Sequence, residues 1–150
     1  MNPKEKMMSN TKDRIVALII GVLLCSTTLI KAQETTYDFI VTKDGTGDFS
    51  TVQEAIMTVP DFRKSETQIL IKNGIYKEKL VLPASKTNVT FVGESRDKVY
   101  LTYDDYASKQ NRFGEEMGTT GSSSFFVFGS DFTAKKITFE NSAGPVGQAV

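Results

Sequence analysis

The sequence carries its clearest structural pattern in the segment Ile137-Thr138-Phe139-Glu140-Asn141-Ser142-Ala143-Gly144-Pro145-Val146-Gly147-Gln148-Ala149-Val150. Residues 137–141 alternate apolar and polar side chains and include β-branched and aromatic types, which is typical of a strand with one buried face. Residues 142–147 are rich in Gly, Pro and Ser and predict a turn. Gln148 then opens a second strand, with a carboxamide that can donate hydrogen bonds outside the sheet.

Further short strands are predicted on the N-terminal side of this segment, each rich in β-branched or aromatic residues. They cover residues 37–42, 68–72, 80–82, 88–92, 99–103 and 125–128. Turn residues separate them at unequal spacings, so no fixed repeat length holds. Residues 104–124 are polar and predict a long excursion between two strands. Many short strands with little helix fit a sandwich, a barrel or a β-helix.

One short helix is predicted early in the chain. Ser50 and Gln53 have the spacing of a capping box, and Pro60 discourages further helix. The apolar face of this helix is formed by Val52, Ala55, Ile56 and Val59. We expect the helix to cover one open end of a stack of strands, because unpaired strand edges otherwise invite association.

The first 32 residues are typical of a secretory signal peptide. A basic lead-in precedes the apolar run Ile15–Cys25, and small or polar residues follow up to Ala32. The run of 11 residues is shorter than the roughly 20 that span a bilayer, so no membrane span is predicted in the mature protein. A retained interfacial helix or a short buried helix is the alternative.

The composition narrows the possible chemistry of residues 33–150. The sequence contains no histidine, and its single cysteine is Cys25, so zinc sites and nucleophiles paired with histidine lack their usual residues there. Residues 33–150 carry 13 basic and 16 acidic side chains, without the clustered basic face that nucleic-acid binding requires. No metal or other cofactor is expected.

Three ordered motifs resemble the pectinesterase (pectin methylesterase) family. Residues 137–150 are similar to a strand reading Ile-Thr-Phe-Glu-Asn that leads through Ala-Gly to Gln-Ala-Val-Ala. Gly74, Tyr76 and Glu78 match a Gly-x-Tyr-x-Glu pattern, and Thr119 aligns with a substrate-contacting threonine. The resemblance implies an all-β fold, a right-handed parallel β-helix. It also implies that residues 33–150 are the N-terminal part of the catalytic domain, with the helix incomplete at its C-terminal end.

The resemblance also implies roles for individual residues. Gln148 binds substrate and stabilises the negative charge on the ester carbonyl oxygen, a contribution commonly worth about 10²-fold to 10³-fold in rate. Thr119 contacts substrate, and Ser122 is a further candidate in the same hydroxyl-rich segment. From the residues alone, Gln148 is more readily explained by a hydrogen bond to the backbone of a turn, and residues 118–124 by an ordinary loop.

Other polar residues have structural explanations from the sequence alone. Tyr76 and Glu78 fall on one side of an extended segment, where a hydrogen bond between them can lock a turn. Asp104 and Asp105 are adjacent acids in the excursion, and we expect them to be solvated rather than to bind a metal.

The predicted function is removal of methyl esters from pectin by a secreted, monomeric enzyme. The resemblance places the nucleophilic aspartate, the acid-base aspartate and an orienting arginine in motifs that follow Val150, so residues 1–150 alone are expected to be inactive. The alternative is a lyase-type or non-catalytic pectin-binding β-helix. A lyase of that kind needs an acidic Ca²⁺ site, for which Asp104 and Asp105 are the only candidates identified.

Overall fold

The computed structural model describes residues 36–145. The predicted signal peptide and Gln148 lie outside these residues. In chain order the elements are β1 (Phe39–Val41), α1 (Val52–Thr58), β2 (Thr67–Ile71), β3 (Gly74–Lys77), β4 (Leu80–Leu82), β5 (Val89–Gly93), β6 (Val99–Tyr103), α2 (Gly118–Gly121), β7 (Phe125–Val127), β8 (Thr133–Lys135) and β9 (Thr138–Asn141).

The strands form three parallel sheets that the chain visits in turn. The first sheet has the order β1-β2-β5-β8, the second β3-β6-β9 and the third β4-β7. Each pass through β2, β3 and β4 is therefore followed by a pass through β5, β6 and β7 that stacks directly on it. This arrangement is a parallel β-helix, which confirms the predicted fold class.

The interior is built from side chains of equivalent position in successive coils. In the second sheet Tyr76 lies beside Leu101, and Leu101 lies beside Phe139. Phe91, Phe125 and Phe132 form an aromatic cluster, with Phe91 and Phe132 packed edge to face at 5.0 Å between ring centroids. Because each coil buries its inward side chains on its neighbours, the stability of a coil depends on contacts with the coils before and after it.

Helix α1 packs against β1 and β4, and its predicted apolar face is fully buried. The predicted cap is wrong by one position. Thr51 Oγ1, rather than Ser50, accepts a hydrogen bond from Glu54 N at 3.3 Å and donates one to Glu54 Oε2 at 2.8 Å. Thr51 and Glu54 themselves form the capping box, because the helix begins at Val52, and the side chain of Gln53 instead contacts β4.

The carboxamide of Gln53 substitutes for a neighbouring strand at the edge of β4. Its Nε2 donates to Val81 O at 3.0 Å, and its Oε1 accepts from Val81 N at 2.8 Å. These two bonds satisfy backbone groups that a further strand would otherwise pair. Helix α1 therefore covers the exposed edge of the third sheet, as expected.

Glycine is required where two coils approach closely at a corner. A Cβ atom at Gly93, the last residue of β5, would overlap the carbonyl oxygen of Lys136.

No helix within residues 36–145 has the length and apolar character needed to cross a membrane.

Candidate functional site

The excursion from residue 104 to residue 124 leaves the β-helix between β6 and β7. Leu80 of β4 pairs in register with Phe125, so the excursion lengthens one coil without disturbing the stacking of the strands. Within it, Met117 N donates to Lys109 O at 2.9 Å, and Asn111 N donates to Glu115 O at 2.8 Å. The excursion is thus a hydrogen-bonded structure of its own rather than an extended loop.

The candidate substrate residues of the excursion lie on and beside α2. Thr119 is exposed within α2. Ser122 follows the helix and is half-buried, with its hydroxyl donating to Thr119 O at 3.1 Å. From the residues alone, an ordinary loop was predicted for residues 118–124. Residues 118–121 instead form a helical turn, closed by Ser122 N donating to Gly118 O at 3.2 Å. This turn holds the Thr119 side chain toward solvent, where an external ligand can reach it.

Asp105 anchors the excursion, and the prediction that it is solvated is wrong. Its side chain is 2% exposed, and its carboxylate is 2.5 Å from Lys79 Nζ and 2.7 Å from Lys109 Nζ. Burial opposes ionisation, but hydrogen bonds from the two ammonium groups outweigh it and lower the pKa of the Asp105 carboxyl. A buried carboxylate must be paired in this way, because an unpaired buried charge is very costly.

Asp104 has a different environment. Its side chain is 37% exposed, and its Oδ2 is 2.7 Å from Lys77 Nζ. The hydrogen bond from Lys77 is the main cause of a lowered pKa at Asp104. The prediction of a solvated side chain therefore holds only in part, since Asp104 lies at the surface but is ion-paired.

The two adjacent aspartates do not form a cation site. Both oxygens of the Asp105 carboxylate face ammonium groups, which repel a divalent cation. Across residues 36–145, no group of three or more acidic, histidine or cysteine side chains is placed to hold a metal ion.

The Gly-x-Tyr-x-Glu motif lies on β3 of the second sheet, with Glu78 directly after the strand. The Tyr76 hydroxyl is buried and donates to Lys72 O at 3.0 Å, while the Glu78 carboxylate accepts from the backbone of α1. The two side chains are not hydrogen-bonded to each other, contrary to the expectation from their spacing. Gly74 begins β3, and a Cβ atom there would lie 3.3 Å from the Tyr76 ring. In the structure all three residues contact protein groups.

Sequence reasoning missed Lys79 and Asn141. Lys79 follows the motif directly, but a single lysine after a strand carries no recognisable signal. Asn141 ends β9, and its Nδ2 donates to Asp105 O at 2.9 Å. Lys79 and Asn141 belong to neighbouring coils, and both bind Asp105 at the start of the excursion.

The fold places the chain in the class of parallel β-helix proteins, with an excursion that bears hydroxyl groups between β6 and β7. Comparisons with known proteins identify the family. The pectinesterase family model matches residues 38–150. The chain belongs to the pectinesterase family.

Individual relatives agree with this assignment. The chain is 41% identical over 115 residues to pectinesterase 31 of Arabidopsis thaliana, covering 73% of this chain and 36% of that protein. It is 37% identical over 109 residues to a pectinesterase of Daucus carota, covering 73% and 32%. The chain therefore spans about a third of the length of these two relatives.

Solved structures share the fold. A crystal structure of pectin methylesterase in complex with a hexasaccharide has a TM-score of 0.68 and 33% identity, covering 74% of this chain and 32% of that one. Pectin methylesterase from carrot has a TM-score of 0.64 and 34% identity, covering 75% and 34%. Pectin methylesterase PemA from Erwinia chrysanthemi has a TM-score of 0.60 and 35% identity, covering 67% and 29%.

Proposed function

We propose that residues 33–150 form the N-terminal part of the catalytic domain of a pectinesterase. Such an enzyme hydrolyses the methyl esters of pectin to carboxylates and methanol. The observation that carries this proposal is the match of the family model from residue 38 to residue 150. The solved relative with a bound hexasaccharide supports a polysaccharide as the ligand.

In this proposal the excursion supplies part of the substrate surface. Thr119 offers an exposed hydroxyl that can donate to and accept from sugar oxygens. Ser122 supports the same helical turn through its bond to Thr119 O. Gln148, outside the described residues, donates to the oxygen of the ester carbonyl as negative charge develops there.

The bond-making groups of the proposed reaction are the carboxylates that the resemblance places after Val150. One aspartate attacks the ester carbonyl, and a second protonates the departing methoxide and then activates the water that releases the acid product. When a site separates the pKa values of two carboxyl groups, the one with the lower pKa is ionised and can act as the nucleophile. The one with the higher pKa keeps its proton and can act as the acid. The part of the protein within residues 1–150 binds and orients substrate.

Secretion and a monomeric state belong to the same proposal. Residues 1–32 direct export and are removed after Ala32. N-terminal sequencing of the protein recovered from the culture medium tests the cleavage, with Gln33 expected as the first residue. Size-exclusion chromatography with light scattering tests the monomer, and a dimer mass contradicts it.

The esterase activity is tested by methanol release from highly methyl-esterified homogalacturonan. The protein is produced from its complete coding sequence, and residues 1–150 are produced separately. We expect methanol from the first and none above a heat-inactivated control from the second. Absence of methanol from both overturns the proposed function, whereas methanol from residues 1–150 overturns the assignment of the nucleophile to a later motif.

A further inference from the structure

We propose that Lys79 is a positioning residue that fixes the substrate-facing turn α2 to the β-helix. This inference rests on the proposed function, because it concerns the residues that present Thr119 to pectin. Lys79 Nζ is 2.6 Å from Gly121 O, at the end of α2, and 2.5 Å from Asp105 Oδ2. The Lys79 ammonium group thus binds both Asp105, at the start of the excursion, and Gly121, the last residue of α2.

The backbone on either side of Lys79 is fixed by the β-helix. Glu78 N donates to Thr102 O at 3.0 Å, and Leu80 N donates to Ser124 O at 2.9 Å. The lysine therefore projects from a corner that is hydrogen-bonded to the next coil on both sides. Its ammonium group also lies 5.6 Å from the centre of the Phe126 ring, which adds a cation–π contact.

The other hydrogen bonds that define α2 lie within the excursion. Gly118 N donates to Ala107 O at 2.9 Å, and Gly121 N donates to Met117 O at 3.2 Å. Among the described residues, the bond from Lys79 is the one hydrogen bond that connects residues 118–121 to a β-helix coil. Without it, α2 keeps its own hydrogen bonds and is held to the strands only through the chain on either side, such as Ser124, whose carbonyl oxygen accepts from Leu80 N.

Lys109 cannot replace Lys79 in this role. Its ammonium group also binds Asp105, at 2.7 Å, but Lys109 belongs to the excursion and moves with it. Asp105 in turn holds the Lys79 ammonium in place, because a buried carboxylate keeps its cationic partners close. The position of Thr119 therefore depends on a lysine that is separate from the substrate surface itself.

The test compares kinetic constants for methanol release by the protein made from its complete coding sequence. Lys79→Met removes the charge at similar length, and we expect KM for methyl-esterified homogalacturonan to rise about tenfold with kcat nearly unchanged. Lys79→Arg keeps the donors and restores KM to near the wild-type value. Lys77→Met is the matched control, because Lys77 is 58% exposed and pairs with the surface residue Asp104, and its KM should be unchanged.

A double-substitution cycle separates positioning from general destabilisation. If Lys79 acts through Thr119, Lys79→Met raises KM much less in a Thr119→Val background than in the wild type. Equal effects in both backgrounds overturn the inference. If Lys79→Met does not fold, Lys79→Gln is measured in the same cycle.

The outcome also separates this inference from the proposed function. An active wild type whose KM does not respond to Lys79→Met or Lys79→Gln overturns the role of Lys79 alone. A wild type that releases no methanol overturns the proposed function and the role that depends on it.

Discussion

The carboxylate of Glu78 lies across the first turn of α1, with its Oε2 3.0 Å from the backbone nitrogen of Gln53. Its other oxygen is 3.1 Å from Val52 N. The first N–H groups of a helix have no partner within the helix, and the positive end of its dipole favours a carboxylate. A motif residue from the exit of β3 therefore caps a helix that lies earlier in the chain, and so ties the helix to the coil that it covers.

Glu78→Ala should lower the free energy of unfolding by about 1–2 kcal/mol, because two backbone donors lose their acceptor. Glu78→Gln should cost less, since its amide oxygen still accepts one bond. Urea denaturation measures both. The control is Glu116→Ala, in the exposed excursion, which should cost little. Equal losses for Glu78→Ala and the control would contradict the capping role.

Gln53→Ala should lower the free energy of unfolding by about 1–3 kcal/mol, because it leaves both backbone groups of Val81 without their partner. Gln53→Glu should lower the free energy of unfolding as well, since it places a carboxylate against the carbonyl oxygen of Val81. This loss should exceed the cost of placing a glycine in a helix, as estimated from helix propensity. Gln110→Ala, at an exposed position, is the control. A stable Gln53→Glu protein with unchanged thermal unfolding would rule out the strand-like role of this side chain.

Asp105→Asn should reduce stability at neutral pH by about 1–3 kcal/mol. The loss is limited because Lys79 and Lys109 are 29% and 36% exposed and can turn toward water. The folded-state pKa of Asp105 lies below its ordinary value of 3.8, so the ionised form stabilises the fold. That contribution is complete above the ordinary value and is lost as the pH falls through the lower folded-state pKa.

The difference in stability between the wild type and Asp105→Asn should therefore shrink as the pH falls below about 4. Thermal unfolding of both proteins across the acid range measures it. A difference that stays constant down to the most acidic pH would show that ionisation of Asp105 does not stabilise the fold.

Tyr76→Phe should cost about 1 kcal/mol, because the buried hydroxyl donates to Lys72 O. Burial raises the pKa of Tyr76 to about 12. The neutral phenol therefore stabilises the fold fully below pH 10, and this contribution is lost as the pH rises toward 12. Absorbance titration of the wild type should show one tyrosine that ionises above pH 10, accompanied by alkaline unfolding, and this component should be missing from the titration of Tyr76→Phe. A wild type and variant with the same titration curve would contradict this burial.

The sequence predicted the strands that are rich in β-branched or aromatic apolar residues, and it missed β8. Strand β8 was missed because Thr133, Ala134 and Lys135 are all exposed and form its pairing through the backbone alone. The parallel β-helix itself required the family resemblance, because short apolar strands with irregular loops also suit a sandwich or a barrel.

The excursion shows the other limit of sequence reasoning. Its polar composition predicted a solvated loop, and nothing in two adjacent aspartates distinguishes the buried Asp105 from the surface residue Asp104. Their difference arises from lysines of β3 and the following corner, about 26 residues earlier in the chain. Thr119 was found only through its alignment with the family, while the helical turn that presents it came from the structure.

The most direct test of the assignment to esterase chemistry follows methanol and unsaturated sugar ends in one reaction. The protein from the complete coding sequence is incubated with highly methyl-esterified homogalacturonan, with and without a calcium chelator. A pectinesterase releases methanol at the same rate in both samples, leaves the polymer length unchanged and forms no unsaturated ends. Chelator-sensitive formation of unsaturated ends without methanol would contradict the esterase assignment and establish the lyase alternative.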